Sequence, residues 1–169
     1  MRNIKVLLAA WLLCFSSQAW SADFFDLFFG DFEEELIAAR DEGKQGVFVF
    51  FEMDDCPFCQ RMQETILREA DVIAYFQQHF KNHHFNILSS TSVIDFDGKE
   101  FETGKEMAEK KYRVRATPVM IFFDLEGRPV VRFTGPTTSK EEFLLLGEFF
   151  VSGSYKTMPF TRYKRTRSQ

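Results

Sequence analysis

Cysteine is scarce in this chain, and its scarcity limits the chemistry that the chain can support. The 169 residues include only three cysteines, Cys14, Cys56 and Cys59. So few cysteines provide neither a disulfide framework spread along the chain nor the four ligands of a structural zinc site. His83 and His84 are adjacent, but no cysteine or carboxylate stands at ligand spacing from them. We therefore expect no metal and no cofactor.

A strong excess of positive charge is also missing. The formal net charge is −4, and charges of both signs are mixed along the chain. This composition gives no support for a nucleic-acid partner. No internal repeat is visible, and the length suits one domain plus an export signal. The 22 phenylalanines are the one marked enrichment, which we interpret as core packing because aromatic rings bury much area per residue.

The chain has one long apolar run, and it lies at the N-terminus. Residues 1–21 are predicted to be a cleavable signal peptide: a basic start, an apolar run at 6–15, and small residues that permit cleavage after Ala19 or Ser21. The run is short for a membrane span, although a retained membrane anchor is the alternative. Cleavage would remove Cys14 and leave only the two downstream cysteines. We therefore expect an exported protein.

The rest of the chain alternates between strand and helix patterns. In chain order, we predict a helix capped by Asp31, a strand at 47–51, a helix from Cys59, a strand at 85–88, a hairpin at 93–101 turning at 97–98, a helix at 105–112, strands at 119–124 and 130–133, and a helix capped by Ser139. This order predicts an α/β fold with a mixed central sheet sandwiched by helices and an inserted β-hairpin. The predicted domain covers 22–153, and the basic segment 154–169 is predicted to be a mobile tail.

The segment Cys56-Pro57-Phe58-Cys59 carries the chemistry. A buried strand precedes it and an amphipathic helix follows, so Cys56 is expected at a helix N-terminus, where N–H groups and the helix dipole favour a thiolate nucleophile. Cys59, one turn later and more buried, can resolve a mixed disulfide on Cys56. Pro57 suits the first helical turn, and Phe58 offers an apolar surface for substrate. The alternatives are a metal half-site and an inert structural disulfide, which the lack of a second cysteine pair and the strand–helix context disfavour.

These residues resemble the thioredoxin superfamily. The resemblance rests on 48–51 leading into Cys56 and Cys59, and on 111–118, which ends in Thr117-Pro118 before the strand at 119–123. It covers roughly 46–150 and is strongest to periplasmic thioredoxin-like proteins of the sulfur-oxidation (SoxW-like) type and to the C-terminal domain of the transmembrane reductant carrier DsbD. The resemblance implies that Pro118 is cis and faces Cys56, and that the carbonyl and N–H preceding it, at Thr117, pair with an extended substrate. An ordinary trans proline that starts a strand is the alternative.

The sequence departs from this family beside the cysteines. The family places a buried Asp six residues before the first cysteine, where this chain has Phe50, and a Trp directly before it, where this chain has Asp55. Glu52 lies on the same face of the strand as Phe50, either near the site or as a solvated strand end. Asp54 and Asp55 add negative charge next to Cys56, which opposes its thiolate. We expect Glu52, Asp54, Asp55 and Pro57 to modulate the reactivity of the cysteine pair.

Three functions are compatible with these features. The leading one is a monomeric, periplasmic thiol–disulfide oxidoreductase that reduces protein or small-molecule disulfides and receives electrons from a membrane donor. The second is a disulfide-forming oxidase or isomerase. The third is a non-catalytic thioredoxin-like binding module with a structural disulfide. A redox potential separates the first two, and a disulfide-reduction assay separates the third from both.

Overall fold

The computed structural model describes residues 23–167, so the predicted signal peptide and Cys14 lie outside the described residues. In chain order the elements are α1 (Phe32–Asp41), β1 (Gly46–Glu52), α2 (Pro57–Glu64), a 3-10 turn (Ile66–Arg68), α3 (Ala70–His79), β2 (Phe80–Asn86), β3 (Val93–Ile94), β4 (Glu100–Phe101), α4 (Gly104–Glu106) running into a π-helical turn (Met107–Lys111), β5 (Val119–Phe123), β6 (Pro129–Thr134), α5 (Lys140–Val151), a second 3-10 turn (Ser154–Lys156) and α6 (Phe160–Arg167). No helix within this part of the chain is long and apolar enough to cross a membrane.

Four strands form a mixed sheet in the order β2-β1-β5-β6. β1 runs parallel to β2, with Phe50 opposite His84, and antiparallel to β5, with Phe51 opposite Val119. β1 lies inside the sheet and is covered on both faces, which explains its unbroken apolar sequence. The predicted mixed sheet between helices is confirmed.

Each face of the sheet carries its own apolar core, because successive side chains of a strand point to opposite faces. Phe48 and Phe50 pack on the face covered by α2, α3 and α5, and both cysteines of the motif belong to this core. Val47 and Val49 pack on the face covered by α1 and the β3–β4 hairpin. Phenylalanine is the most frequent residue in both cores, as its number in the sequence indicates.

The predicted hairpin is present as a separate two-stranded sheet, β3 with β4. Its turn contains Asp97 and Gly98, and Gly98 has a φ of 73°, a conformation that glycine adopts without the steric cost of a side chain. The N–H of Asp95 donates to the carbonyl of Lys99 at 2.9 Å and closes the turn. The hairpin therefore rests on the local sequence that predicts it.

The C-terminal segment differs from the mobile tail predicted for 154–169. Within the described residues it forms a 3-10 turn and α6, and the side chain of Tyr163 is only 4% exposed. The Tyr163 ring lies 5.2 Å from the ring of Phe149, and Lys164 Nζ lies 2.6 Å from Glu142 Oε1. An isolated basic helix of this length has little stability of its own. These contacts with α5 hold it, so the packed domain extends beyond residue 153.

Candidate redox site

Cys56 and Cys59 lie where a strand–loop–helix connection places them, at the N-terminus of α2. Cys56 is the N-cap residue, with an extended backbone, and its sulfur accepts a hydrogen bond from the N–H of Cys59 at 3.2 Å. The two sulfurs form a disulfide whose Cα atoms are 5.2 Å apart. Pro57 occupies the first helical position, as predicted. The same N–H that contacts the disulfide can stabilise a thiolate on Cys56 after reduction.

The expected difference in burial between the two cysteines is small in this disulfide form. Cys56 is 3% exposed and Cys59 is 2% exposed. Phe58 between them is 54% exposed, and the guanidinium of Arg61 lies 5.6 Å from the centre of its ring. The motif thus presents an apolar ring to solvent beside a nearly covered disulfide.

The two aspartates before Cys56 differ in their surroundings. Both are exposed, but Asp54 Oδ1 accepts a hydrogen bond from the Asn86 side-chain amide at 2.8 Å. Asn86 is the last residue of β2, so this bond joins the end of the neighbouring strand to the loop that carries Cys56. The sequence alone does not single out Asn86. A polar residue at the end of the strand next to β1 is the signal that would have indicated it.

Glu52 is bonded to neighbouring side chains rather than standing as a solvated strand end. Its carboxylate lies 2.7 Å from His84 Nδ1 and accepts a hydrogen bond from Gln63 Nε2 at 2.5 Å. The Glu52 side chain is 18% exposed, whereas Phe50, at the family's aspartate position, is fully buried. The hydrogen bond that the His84 ring donates to Glu52, partly opposed by burial, raises the pKa of His84 above its usual range. A carboxylate–imidazole pair therefore lies at the end of β1, and Gln63, one turn after Cys59, joins it to α2.

Thr117 and Pro118 lie just before β5, at the end of the sheet where β1 also ends. Val119, the first residue of β5, pairs with Phe51, so the preceding residues lie at the same sheet edge as the loop to Cys56. The Thr117–Pro118 peptide bond is cis, and the Pro118 carbonyl accepts a hydrogen bond from Gly135 N–H at 2.9 Å. The Thr117 hydroxyl is buried and has no hydrogen-bond partner among residues 23–167.

His83 and His84 contact two different carboxylates. His83 is fully buried, with Nε2 3.0 Å from Glu35 Oε2, while His84 contacts Glu52 on the other face of β2. Within the described residues, no group of three or more His, Cys, Asp and Glu side chains is arranged to hold a metal ion.

The chain belongs to the family of thioredoxin-like domains, whose sequence model matches residues 32–150. This match covers more than half of the chain and confirms the resemblance to the thioredoxin superfamily. No curated protein matches the chain.

Solved structures with the same fold come from several bacteria. A protein of Bacteroides thetaiotaomicron proposed to be a disulphide isomerase is 27% identical, over 75% of this chain and 95% of its own, with a TM-score of 0.57. A thioredoxin of Thermus thermophilus is 27% identical over 73% and 86% of the two chains, with a TM-score of 0.56. The DsbD C-terminal domain of Neisseria meningitidis, at 15% identity over 68% and 88% and a TM-score of 0.51, shares the fold. Family, fold and the Cys56–Cys59 pair together define a thiol–disulfide oxidoreductase of the thioredoxin type.

Proposed function

We propose that this protein is a reductase of disulfides in which Cys56 is the nucleophile and Cys59 is the resolving cysteine. One observation carries the assignment: Cys56 is the N-cap of α2 and receives the Cys59 N–H on its sulfur, while Cys59 lies inside the helix. A thiolate at a helix N-terminus is stabilised by N–H groups and the helix dipole. Cys59 has no such position and is the better resolving group.

The reaction balances as a two-electron exchange. The Cys56 thiolate attacks one sulfur of the client disulfide, a mixed disulfide forms, and the first client thiolate leaves. Cys59, having lost its proton to solvent or a nearby base, attacks the Cys56 sulfur and releases the second client thiolate. The protein is left with the disulfide seen here, and a dithiol donor must return two electrons and two protons. We propose a membrane protein as that donor.

The charges around Cys56 support reduction rather than oxidation. Strong oxidants stabilise the reduced thiolate, whereas the exposed carboxylates of Asp54 and Asp55 oppose it. The Asn86 amide donates to Asp54, so its dipole offsets a small part of this effect while the carboxylate keeps its charge. The carboxylates therefore favour the disulfide form and lower the reduction potential of the Cys56–Cys59 pair. Pro57, by resemblance to disulfide-forming relatives, favours the alternative of an oxidase or isomerase.

The surrounding residues have proposed roles in the same reaction. Phe58 supplies an exposed apolar contact, and the backbone N–H and carbonyl of Thr117, directly before Pro118, pair with the substrate. Glu52 modulates the site through its bonds to Gln63 and His84. We further propose that the protein is exported to the periplasm, on the strength of the pattern in residues 1–21, and acts as a monomer.

Trapping tests the assignment of the two cysteines. Cys59→Ser should accumulate covalent mixed disulfides with client proteins, because the resolving attack is lost. Cys56→Ser is the matched control and should trap none. The wild-type dithiol should also reduce the disulfides of insulin. Negligible trapping by both variants, with no insulin reduction, would favour the structural-disulfide alternative.

A further inference from the structure

A groove runs along the outer edge of β2, outside the cysteine motif. It lies between the segment 23–30 and the segment 84–93 and has a volume of about 560 Å³. Leu27 and Phe29 line it and are 80% and 85% exposed, the highest values among the exposed large apolar residues of the described chain. Leu88, in the same segment as the groove wall, is 51% exposed. We call this feature the edge groove.

The backbone of β2 is open toward the edge groove. The N–H of Ile87 donates to the carbonyl of Glu52. The backbone N–H and C=O groups of the odd-numbered residues of this strand therefore face β1, and those of the even-numbered residues face outward. Asn82 is covered, because it exchanges hydrogen bonds with Asp26. His84 lies next along the outer edge, and its N–H and carbonyl have no partner among residues 23–167. An uncovered edge of this kind can pair with another extended chain.

The edge groove is continuous with the redox site. Asn86 lines the groove, and its side chain donates to Asp54 at 2.8 Å. Asp54 stands two residues before Cys56, a backbone span of at most about 7 Å. A chain whose disulfide reaches Cys56 therefore has the groove within a few residues of its reacting sulfur.

The charge of the groove is acidic. Asp23 and Asp26 line it, and no lysine or arginine of residues 23–167 does; the His84 ring, which also lines it, is paired with Glu52. Lys81 lies 3.5 Å from one oxygen of Asp26 and neutralises part of that charge. Asp54 and Asp55 extend the negative charge toward Cys56. An apolar floor with an acidic border favours apolar side chains flanked by basic ones.

We propose that the edge groove binds an extended segment of a client polypeptide, apolar with flanking Lys or Arg, next to the cysteine that Cys56 attacks. The segment adds to the outer edge of β2 at His84 and places its apolar side chains on Leu27 and Phe29. This inference rests on the proposed function and names its substrate class: disulfides in unfolded or extended polypeptides rather than small disulfides.

Single-turnover reduction tests the inference without a donor. The pre-reduced protein is mixed with two oxidised substrates, a disulfide-bridged peptide of apolar and basic residues and glutathione disulfide. The test variant is Leu27→Ser with Phe29→Ser, and the control is Ile37→Ser on α1, which is 49% exposed and does not line the groove. We expect the double variant to slow peptide reduction by about tenfold, the loss typical of removing apolar anchors, with glutathione disulfide unchanged. The control should change neither rate.

The outcomes separate this inference from the proposed function. Equal rates for wild type and double variant with the peptide, or an equal loss with both substrates, would overturn the proposal that the edge groove binds the client. Either result would leave the proposed reductase function standing. Failure of the wild-type dithiol to reduce either substrate would overturn both. A wild-type dimer that the double variant dissociates would show that a second copy of this chain occupies the groove, and would also overturn the proposal.

Discussion

A buried carboxylate fixes the inserted hairpin to the segment that leads to Thr117-Pro118, and the loss of either of its two partners should destabilise the fold. Asp95 in the hairpin is fully buried and accepts a hydrogen bond from the Tyr112 hydroxyl. Lys111 forms an ion pair with the same carboxylate and lies 2.7 Å from Asp97 Oδ2. Burial, followed by the charge and hydrogen bond of Asp95, raises the pKa of Tyr112 well above its usual range. The hydroxyl therefore stays protonated and remains a donor.

Tyr112→Phe removes this hydroxyl and keeps the ring, whose centre is 5.3 Å from that of Phe123. A hydrogen bond to a charged group contributes about 1.5–3 kcal/mol, so we expect this loss in the free energy of unfolding. Lys111→Gln should cost more, about 3–5 kcal/mol if the carboxylate is left buried and unpaired. Lys111 is partly exposed, and water reaching the site would place the cost at the lower end.

Urea denaturation of wild type, both single variants and the double variant gives the coupling between the two partners. Because both contact one carboxylate, their effects should be non-additive by about 0.5–3 kcal/mol. Lys110→Gln is the matched control: this side chain is 73% exposed and, among residues 23–167, pairs only with Glu106 on the surface, so its removal should change the free energy of unfolding far less than either variant. A Tyr112→Phe variant as stable as wild type would refute the reasoning that the carboxylate depends on the hydroxyl.

Two further predictions concern the histidine pair and the C-terminal helix. His84 has a raised pKa in the fold through Glu52, so its stabilising effect is complete below its ordinary value of about 6.5 and is lost as pH rises through the folded value. His84→Gln should therefore destabilise the protein more at pH 5.5 than at pH 8.5, by about 0.2–1 kcal/mol in urea titrations at the two pH values; an equal difference at both would contradict the pairing. Tyr163→Ala should cost about 1–3 kcal/mol and speed amide exchange in α6, whereas unchanged exchange would show that the helix does not depend on that ring.

Local sequence signals predict much of the fold because they act through neighbouring residues. The apolar run at 47–51 becomes β1, and Ser139 caps α5 by accepting the N–H of Glu142. Asp31 caps α1 in the same way, through the N–H groups of Glu33 and Glu34. In each case the stabilising contact lies within a few residues of the signal, so no tertiary information is needed.

Elements held by distant contacts are predicted poorly. β2 spans Phe80–Asn86, whereas the sequence predicts a strand at 85–88. Lys81, Asn82 and His83 interrupt the apolar pattern, and their partners, such as Asp26 for Asn82 and Glu35 for His83, lie far along the chain. α6 is missed for the same reason, since its buried Tyr163 packs against α5.

At the redox site, too, local features are predicted from the sequence and contacts between distant residues are not. The positions of Cys56 and Pro57 at the start of α2 follow from the motif and its strand–helix context. The bonds from Asn86 to Asp54 and from His84 to Glu52 cross between neighbouring strands. Only the register of β1 with β2 brings these side chains together, and the sequence does not specify that register.

The potential of the Cys56–Cys59 pair tests the central claim most directly. Equilibration of the wild-type protein with glutathione should give a value nearer that of thioredoxin, about −270 mV, than that of the oxidant DsbA, about −120 mV. Asp54→Asn with Asp55→Asn should raise it by about 10–40 mV: each carboxylate at some 6–8 Å gives an upper limit of about 2–3 kcal/mol, which water and salt reduce strongly. Asp41→Asn, at the exposed end of α1, is the control and should leave it unchanged. A wild-type value above about −180 mV, the level of protein disulfide isomerase, would contradict the reductase assignment and favour an oxidase or isomerase.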